Sequence, residues 1–307
     1  MTGLTNRYDF VLFLDVENGN PNGDPDAGNM PRMDPETSQG LMSDVSIKRK
    51  LRNYVADAHD NKPPHRIYFT ERAVLNEAHQ EAWVATGVEP TGKEGADKYK
   101  RLPKDQAEAQ KLTDWMCSQF WDIRTFGAVM STGVNAGQVR GPVQLTFARS
   151  EEPIMPLEVS ITRSSVTNEA DRDKERTMGR KNIVPYGLYR VHGFVNAKLA
   201  QRTGFSEADL DLLWQGLRDM LDLDRSASRG MMAARRLLVF RHESELGNAQ
   251  AHRLFDRVTV SRVHGGEALP VGDPRSHNWP PARAFSDYRI EVDAADLPAG
   301  VTLHEPW

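Results

Sequence analysis

Short runs of hydrophobic residues alternate with long polar stretches along the chain, and these runs predict the regular elements. Residues 10–14 are continuously apolar, which is typical of a strand buried on both faces. Residues 17–26 are rich in Asn, Gly and Pro, which favour turns. We therefore expect a strand followed by a loop that reaches about residue 41, long enough to carry function.

Two segments have apolar residues at helical spacing. The first has them at Ile47, Leu51, Tyr54 and Val55. The second has them at Leu210, Leu213, Trp214, Leu217 and Leu221. Ser43 precedes the first segment and Ser206 the second, and serine is a preferred helix N-cap. Asp209 follows Ser206 by three residues, which indicates a variant of the capping box.

The remaining apolar segments predict strands that are separated by two insertions. The strands are expected at residues 66–70, 143–147, 189–195 and 237–240. Residues 71–121 read as a mostly helical, polar insertion, and residues 150–187 as an irregular, charged one. Without the insertions, this order predicts an α+β fold of the ferredoxin-like type, a split βαβ sheet with two helices on one face.

Composition limits the possible functions. The 307 residues are 39% hydrophobic and carry a net charge of −4, so affinity for a polyanion must come from a local patch. The single cysteine, Cys117, excludes an intramolecular disulfide and a cysteine zinc cluster. The longest strictly apolar run is five residues and no signal peptide opens the chain. We therefore expect a cytoplasmic protein without a membrane partner or a cofactor.

Acidic residues after the first predicted strand suggest one possible enzyme. Asp15, Glu17, Asp24 and Asp26 lie close together in the sequence, and carboxylates at a strand end can hold Mg²⁺ for phosphodiester cleavage. Asp residues in such a loop also cap turns. A metal-dependent ribonuclease that uses Asp15, Asp24 or Asp26 therefore remains an alternative, although no other catalytic motif supports it.

Clusters of basic residues favour nucleic-acid binding. Lys48, Arg49 and Arg52 lie in the first turns of the first helix, where free N–H groups attract phosphate; a solvated helix face is the alternative. Arg235 and Arg236 belong to an arginine-rich stretch, and arginine suits bidentate phosphate contact. Because no aromatic signature for base stacking is present, we expect recognition of the RNA backbone without sequence preference. A scaffold that binds only protein is a third hypothesis.

Four segments of the sequence together resemble a known family. Residues 7–25, RYDFVLFLDVENGNPNGDP, closely resemble the opening of the backbone subunit of type I-C CRISPR surveillance complexes (Cascade), a member of the RAMP superfamily. Residues 40–50 (GLMSDVSIKRK), 122–127 (DIRTFG) and 137–144 (GQVRGPVQ) are similar too. The likeness covers nearly the whole chain in order and length.

The resemblance implies an RRM-like palm that carries helical fingers and a protruding thumb. It places the palm at residues 1–70, 122–149 and 188–307, the fingers at 71–121 and the thumb at 150–187. It implies a non-catalytic subunit that polymerises head to tail along CRISPR RNA and presents it for pairing with target DNA in antiviral defence. Its partners would be CRISPR RNA, target DNA, other copies of itself, and the guide-processing and large subunits of the complex.

Related subunits of type III complexes cut RNA with a loop aspartate, whereas the type I members are not known as nucleases. On the same basis, two loops would shape the path of the RNA and the thumb would displace a base, with Met178 or Ile183 as an apolar wedge. The expected RNA contacts are Asn18, Asn20, Asn22, Ser43, Lys48, Arg49, Arg52, Arg124, Met130, Ser131, Arg140, Arg163, Met178, Arg180, Lys181, Arg235 and Arg236.

Overall fold

The structure is a computed structural model that describes residues 3–92, 95–172 and 178–307. Its helices are α1 (Asp44–Ala58), α2 (Leu75–Thr86), α3 (Gln106–Gln119), α4 (Trp121–Phe126), α5 (Ala197–Thr203), α6 (Glu207–Leu223) and α7 (Ala251–Phe255). Its strands are β1 (Tyr8–Gly19), β2 (Gly23–Asp24), β3 (Met30–Pro31), β4 (Gln39–Met42), β5 (Gly127–Ser131), β6 (Asn135–Arg140), β7 (Val143–Leu145), β8 (Ala148–Pro153), β9 (Leu157–Thr162), β10 (Met178–Val195), β11 (Met231–His242), β12 (Val258–His264), β13 (Glu267–Pro270), β14 (Tyr288–Val292) and β15 (Val301–His304).

A large antiparallel sheet forms the centre of the molecule. Its strand order is β15-β11-β1-β10-β8-β4, and β7 and β9 also pair with β10. Strand β1 lies between the two long strands β10 and β11, so that Leu12 is opposite Val191 on one side and Leu237 on the other. The expectation of a mixed α+β protein is confirmed at this level.

Strand β1 is buried on both faces, as its continuous apolar run predicts. Phe10, Leu12 and Leu14 point into the core on the helix side of the sheet. Val11 and Phe13 point into a second core on the opposite side. Because successive side chains of a strand point to opposite faces, one uninterrupted apolar run supplies both cores.

Helices α1 and α6 pack on one face of the sheet, and both predicted N-caps are confirmed. The Ser43 Oγ accepts a hydrogen bond from the Ser46 backbone N–H (3.3 Å). At α6, the Asp209 N–H donates to the Ser206 Oγ, and the Asp209 carboxylate accepts from the Ser206 N–H. These bonds satisfy N–H groups that a helix start would leave without partners.

The opposite face of the sheet is covered by elements that the sequence did not predict as a layer. A three-stranded sheet with the order β13-β12-β14 packs there together with α7. The arrangement therefore departs from a ferredoxin-like sheet that has helices on one face only. The short apolar segments after residue 258 have no sequence pattern that predicts a core shared with β1.

A third core lies outside the central sheet and joins α2, α3, α4 and the β5–β6 hairpin. Trp83, Met116 and Met130 are buried in it. The helical character predicted for residues 71–121 is confirmed by α2 and α3. The inward side chains of the β5–β6 hairpin pack with these two helices.

The strand predicted at residues 66–70 is absent. Arg66 makes only an isolated bridge to Phe120, and the N–H groups of Tyr68 and Phe69 donate to the Asp122 carboxylate instead. A segment becomes part of a sheet only when a partner strand pairs with its backbone. Here the Asp122 carboxylate accepts the backbone hydrogen bonds instead.

Residues 150–187 are more regular than the sequence suggested. Strand β10 is 18 residues long; its first part pairs with β9 to form a projecting hairpin, and its second part joins the central sheet. The strand thus runs without a break through the boundary expected at residue 187. No helix in the described ranges is both long enough and apolar enough to cross a membrane.

Candidate nucleic-acid interface

A polar groove, named here the α1 groove, opens at the N-terminal end of α1. Its volume is about 540 Å³. It lies where the loop after β1, the first turns of α1 and the segment after α6 meet. Its lining includes Asn22, Arg32, Ser43, Ser46, Arg49, Lys50, Asn53, Glu71, Asp224 and Arg229. Three of the RNA contacts expected from the sequence, Asn22, Ser43 and Arg49, are therefore brought together.

Two close contacts fix the loop after β1 against its neighbours. The Asn22 Oδ1 accepts hydrogen bonds from the Ser43 backbone N–H (2.9 Å) and from the Ser43 Oγ (3.1 Å), which ties the loop to the start of α1. A Cβ at Gly19 would lie 1.8 Å from the Arg229 carbonyl oxygen. Only glycine therefore allows the loop to pack against residues 226–230, and Asn20 lies within this packed turn, with its backbone N–H bonded to Ser228.

The cations of the α1 groove are paired with carboxylates of different exposure. Arg49 contacts Glu71 (2.9 Å), and both side chains are open to solvent. Arg32 contacts Asp24 at 3.4 Å. Exposed pairs of this kind contribute little to stability. An incoming phosphate can therefore replace Glu71 at small energetic cost, whereas Arg32 and Asp24 are both half-buried.

Lys50 differs from Arg32 and Arg49 because its side chain is only 2% exposed, and its ammonium group contacts Asp224. Burial lowers the pKa of Lys50, and the neighbouring Asp224 carboxylate opposes that effect. Asp224 also contacts Arg229 at 3.3 Å. Lys50 and Asp224 thus form the fixed floor of the groove, above which Arg32 and Arg49 remain available.

Two buried polar atoms beside this floor have no hydrogen-bond partner among the described residues. They are the Arg32 Nε and the Asn20 Oδ1. An unsatisfied buried donor is costly, and the Arg32 N–H can donate to an oxygen of a bound anion. The α1 groove thus contains an unused donor besides its exchangeable ion pairs.

Lys48 and Arg52 lie on α1 outside the groove. The Lys48 ammonium contacts Asp44 (2.9 Å) and Gln144 (3.3 Å). The Arg52 guanidinium donates to Asp122 (2.8 Å) and lies over the ring of Phe69. Both side chains join α1 to neighbouring elements, because their positions on the helix face those elements and not the groove.

Four residues expected on the RNA path between positions 124 and 140 lie outside the α1 groove. Arg124 is buried and donates to Asp209 (2.7 Å). Met130 is fully buried because strand alternation turns it into the core shared with α2 and α3, which corrects its assignment as an RNA contact. Ser131 next to it is exposed, and Arg140 lines a separate cleft.

Asp15, Arg235 and Arg236 form partly buried contacts that do not line the α1 groove. The Asp15 carboxylate accepts from the Tyr186 hydroxyl (2.8 Å) and contacts Arg235 (2.8 Å). Burial, followed by the Asp15 charge, raises the pKa of Tyr186. Arg236 pairs with Glu305 (2.8 Å). Asp15 and Arg235 therefore form an ion pair with each other, and Arg236 forms one with Glu305.

The other acids proposed for a nuclease occupy a turn. Asp24 accepts a hydrogen bond from the Asp26 backbone N–H (3.2 Å) and caps the short 3₁₀ helix that follows. Asp26 is exposed. Within residues 3–92, 95–172 and 178–307, no three His, Cys, Asp or Glu side chains are grouped as metal ligands.

The β9–β10 hairpin projects beside the α1 groove and has two different faces. Leu157, Val159 and Ile161 are exposed on one face. Met178 and Arg180 lie on the other face, and Arg180 contacts Glu158 at 3.3 Å. Arg163 follows β9 and donates to the Ser165 carbonyl (2.8 Å).

Lys181 connects this hairpin to the rim of the groove. Its ammonium group donates to the Ala227 carbonyl oxygen, which belongs to the same loop as Arg229. The end of β1 also contacts this hairpin, because Gly19 pairs with Val184 of β10. Asn18, directly before Gly19, is exposed and has a positive φ of 50°. The hairpin base, the loop after β1 and the loop after α6 are therefore adjacent.

Sequence reasoning missed Arg32, Glu71 and the role of Arg229. Arg229 belongs to the arginine-rich stretch, so composition gave a partial signal for it. Arg32 and Glu71 are single charges in polar loops, and no periodic pattern marks them. Their roles arise from tertiary packing around the start of α1.

Two comparisons with known proteins indicate one family, and a third concerns the fold. The family model described as CRISPR-associated protein Cas7 matches residues 6–293. A protein of Haloferax volcanii named CRISPR-associated protein Cas7 is 28% identical over 274 residues, which are 81% of this chain and 73% of that protein. A chain from a structure titled "CRISPR RNA-guided surveillance complex, pre-nicking" superposes with a TM-score of 0.51 at 15% identity, covering 76% of this chain and 78% of the other. At this identity the structural match concerns the fold alone.

Proposed function

The chain belongs to the CRISPR-associated protein Cas7 family, and on that premise we propose that it is a guide-RNA-binding backbone subunit of a CRISPR RNA-guided complex. The family resemblance found in the sequence is confirmed. Assignment to the type I-C branch of that family remains part of the proposal. The division into palm, fingers and thumb is also part of the proposal, as is the pairing of the bound guide with target DNA.

The observation that carries the proposal is the composition of the α1 groove. Arg49 faces it through a weak, exposed ion pair and Arg32 through a longer, half-buried one, and Ser43 marks the start of α1 beside them. Guanidinium groups and helix N-termini both suit phosphate. The described lining residues include no aromatic ring on which a base could stack. Contact through phosphates alone lets one protein accept a guide of any sequence.

The β9–β10 hairpin supports assembly of several copies on one RNA. Its apolar face, formed by Leu157, Val159 and Ile161, is exposed on the isolated chain. A contact between this face and a different surface of the next copy is heterologous and does not close, so it builds a filament. Met178 or Ile183 would then wedge between guide bases, with Arg163, Arg180 and Lys181 holding the displaced segment.

We also propose that the subunit does not cut RNA. Asp15 is engaged by Tyr186 and Arg235, and Asp24 caps a turn, which agrees with structural roles for these acids. Incubation with labelled RNA and Mg²⁺, with and without a chelator, tests the ribonuclease alternative. Chelator-sensitive cleavage that is lost in Asp26→Asn would contradict the proposal.

The main test removes the exchangeable cations of the α1 groove. In Arg32→Gln/Arg49→Gln, we expect RNA affinity to fall for several unrelated guide sequences, with the slope of log K against log salt reduced by roughly one to two. The measurement is fluorescence anisotropy of labelled RNA over a salt series. Arg253→Gln/Arg289→Gln is the matched control, since both of these arginines are exposed on distant elements.

A complementary variant should have the opposite effect. Glu71→Gln removes the carboxylate that competes for Arg49, so RNA affinity at low salt should rise. Glu77→Gln, an exposed acid outside the groove lining, should leave it unchanged. Unaltered RNA affinity in both groove variants would refute phosphate binding at this place.

A further inference from the structure

A second polar cleft, named here the α3–α5 cleft, is bordered by α3, α5 and strand β6. Its volume is about 370 Å³. Helix α3 contributes polar side chains along one face, β6 contributes the end of the hairpin, and α5 contributes its last turn. The polar lining includes Gln106, Gln110, Thr113, Gln138, Arg140 and Arg202.

This cleft is far from the α1 groove. A neighbouring cavity shares Arg202 and Thr203 with the cleft and is bordered by Ser206, directly before α6. The α1 groove is bordered by Asp224, directly after α6. Helix α6 has 17 residues, so at about 1.5 Å per residue its two ends are roughly 25 Å apart.

The charges of the cleft are arranged differently from those of the groove. Arg140 and Arg202 are both exposed, and neither has an ion pair or a side-chain hydrogen bond with any described residue. Asp114 is the carboxylate on the cleft wall, and it accepts a hydrogen bond from Gln110 (2.7 Å). Beneath it, the charge of Arg124 is neutralised by Asp209. Two arginines thus face the cleft without a committed partner.

The walls of the cleft are held in place by tertiary contacts. The Thr203 hydroxyl donates to the Arg124 carbonyl oxygen (2.8 Å), which fixes the last turn of α5. Gly137 has a φ of +92°, and a Cβ there would lie 2.8 Å from the Thr113 side chain, so β6 approaches α3 closely. Fixed walls reduce the entropy that a ligand must remove on binding.

We propose that the α3–α5 cleft binds the phosphate ester of a nucleotide, independently of the α1 groove. Each guanidinium presents a planar set of donors that matches phosphate oxygens, and the amide side chains on the walls can bond a base or a ribose. The volume is in the range of small-ligand sites. The same chemistry fits a free mononucleotide or one nucleotide of a longer strand.

The test uses the full chain and two probes. AMP binding is measured by calorimetry, with adenosine as the control that lacks phosphate. A long RNA that contains 4-thiouridine is crosslinked to the protein, and the attached peptides are mapped. Arg140→Gln/Arg202→Gln should weaken AMP binding by roughly tenfold or more through loss of two charged donors. Arg253→Gln/Arg289→Gln should leave AMP binding unchanged, and in the groove variant Arg32→Gln/Arg49→Gln the AMP binding that depends on Arg140 and Arg202 should persist.

Each outcome decides the proposal. AMP binding that depends on Arg140 and Arg202 supports it; RNA crosslinks to α3 or α5 then identify a strand as the source, and their absence identifies a free nucleotide. Equal AMP affinity in the cleft variant, equal binding of adenosine, or no AMP binding at millimolar concentration overturns it. The variant Arg32→Gln/Arg49→Gln distinguishes RNA binding at the α1 groove from nucleotide binding at the α3–α5 cleft, because it should weaken RNA retention without changing the cleft.

Discussion

Burial divides the cations of α1 into those that hold the fold and those that remain available. Arg49 and Lys50 are adjacent in the sequence, yet the Arg49 side chain is 47% exposed and that of Lys50 only 2%. A buried ammonium group must keep its carboxylate, since an unpaired buried charge is strongly destabilising. An exposed guanidinium can exchange its partner for phosphate. The cluster 48–52 is therefore not a uniform basic patch.

His192 shows how burial sets a pH dependence at a single residue. Its ring stacks on Phe255 at 4.3 Å, and its Nε2 has no partner among the described residues. Burial, followed by the charge of Arg190, lowers the pKa of His192 from 6.5 to about 4. Between these two values the unfolded chain binds a proton that the folded chain does not.

We therefore predict that the His192 contribution to stability decreases as the pH falls from 6.5 to about 4. In His192→Phe, which keeps the stacking and removes the titrating ring, the free energy of unfolding should fall less over this range. Urea unfolding at several pH values measures the difference. Parallel pH profiles for the two proteins would contradict this assignment, and His252→Phe, an exposed histidine on α7, is the control.

At the scale of elements, the start of α6 connects a helix cap to a buried ion pair. One oxygen of the Asp209 carboxylate accepts from the Ser206 N–H and hydroxyl. The other accepts from the Arg124 guanidinium, which also donates to the Pro64 carbonyl oxygen (2.5 Å). The cap that the sequence predicts is thus half of an arrangement that also anchors α4.

We predict unequal costs for the two members of this capping box. Ser206→Ala should lower the free energy of unfolding by about 1 kcal/mol, the usual cost of losing an N-cap. Asp209→Ala should lower it by roughly 3–5 kcal/mol, because it also leaves buried Arg124 unpaired. Denaturant unfolding gives both values. Similar losses in the two variants would show that the ion pair is not coupled to the cap.

Helices and strands were predictable from the sequence where the residues within the element determine its structure. The continuous apolar run in β1 and the capped, apolar stripes of α1 and α6 are local patterns, and each formed as expected. The segment at 66–70 also has residue types that favour strands, but the Asp122 carboxylate accepts the hydrogen bonds of its backbone N–H groups. The partner of a strand lies far away in the sequence, so periodicity alone cannot supply it.

At the scale of the whole molecule, the exposed apolar face of the β9–β10 hairpin is the feature that an isolated chain does not explain. A contiguous exposed apolar surface usually marks an interaction site. Under the proposed assembly, another copy covers Leu157, Val159 and Ile161 when RNA is bound. The hairpin then contributes to copy number and not to the stability of one chain.

We predict that Leu157→Ser/Val159→Ser/Ile161→Ser lowers the number of copies bound to one long RNA while the thermal stability of the free chain stays nearly unchanged. Native mass spectrometry of the complexes measures the stoichiometry. Ser160→Ala/Thr162→Ala changes the opposite face of the same strand and should have no effect. The same copy number in all three proteins would exclude this face from the assembly contact.

The sequence by itself determined β1, α1 and α6, the family resemblance and the need for a local basic site in a chain of net charge −4. Those properties follow from neighbouring residues and from composition. Only the tertiary structure decided that Arg32, Arg49 and Arg229 share a groove, that Lys48 and Arg52 lie outside it, and that Arg140 belongs to a second cleft. The physical reason is that exposure and ion pairing depend on residues that are distant along the chain, and these two quantities decide whether a cation can bind phosphate.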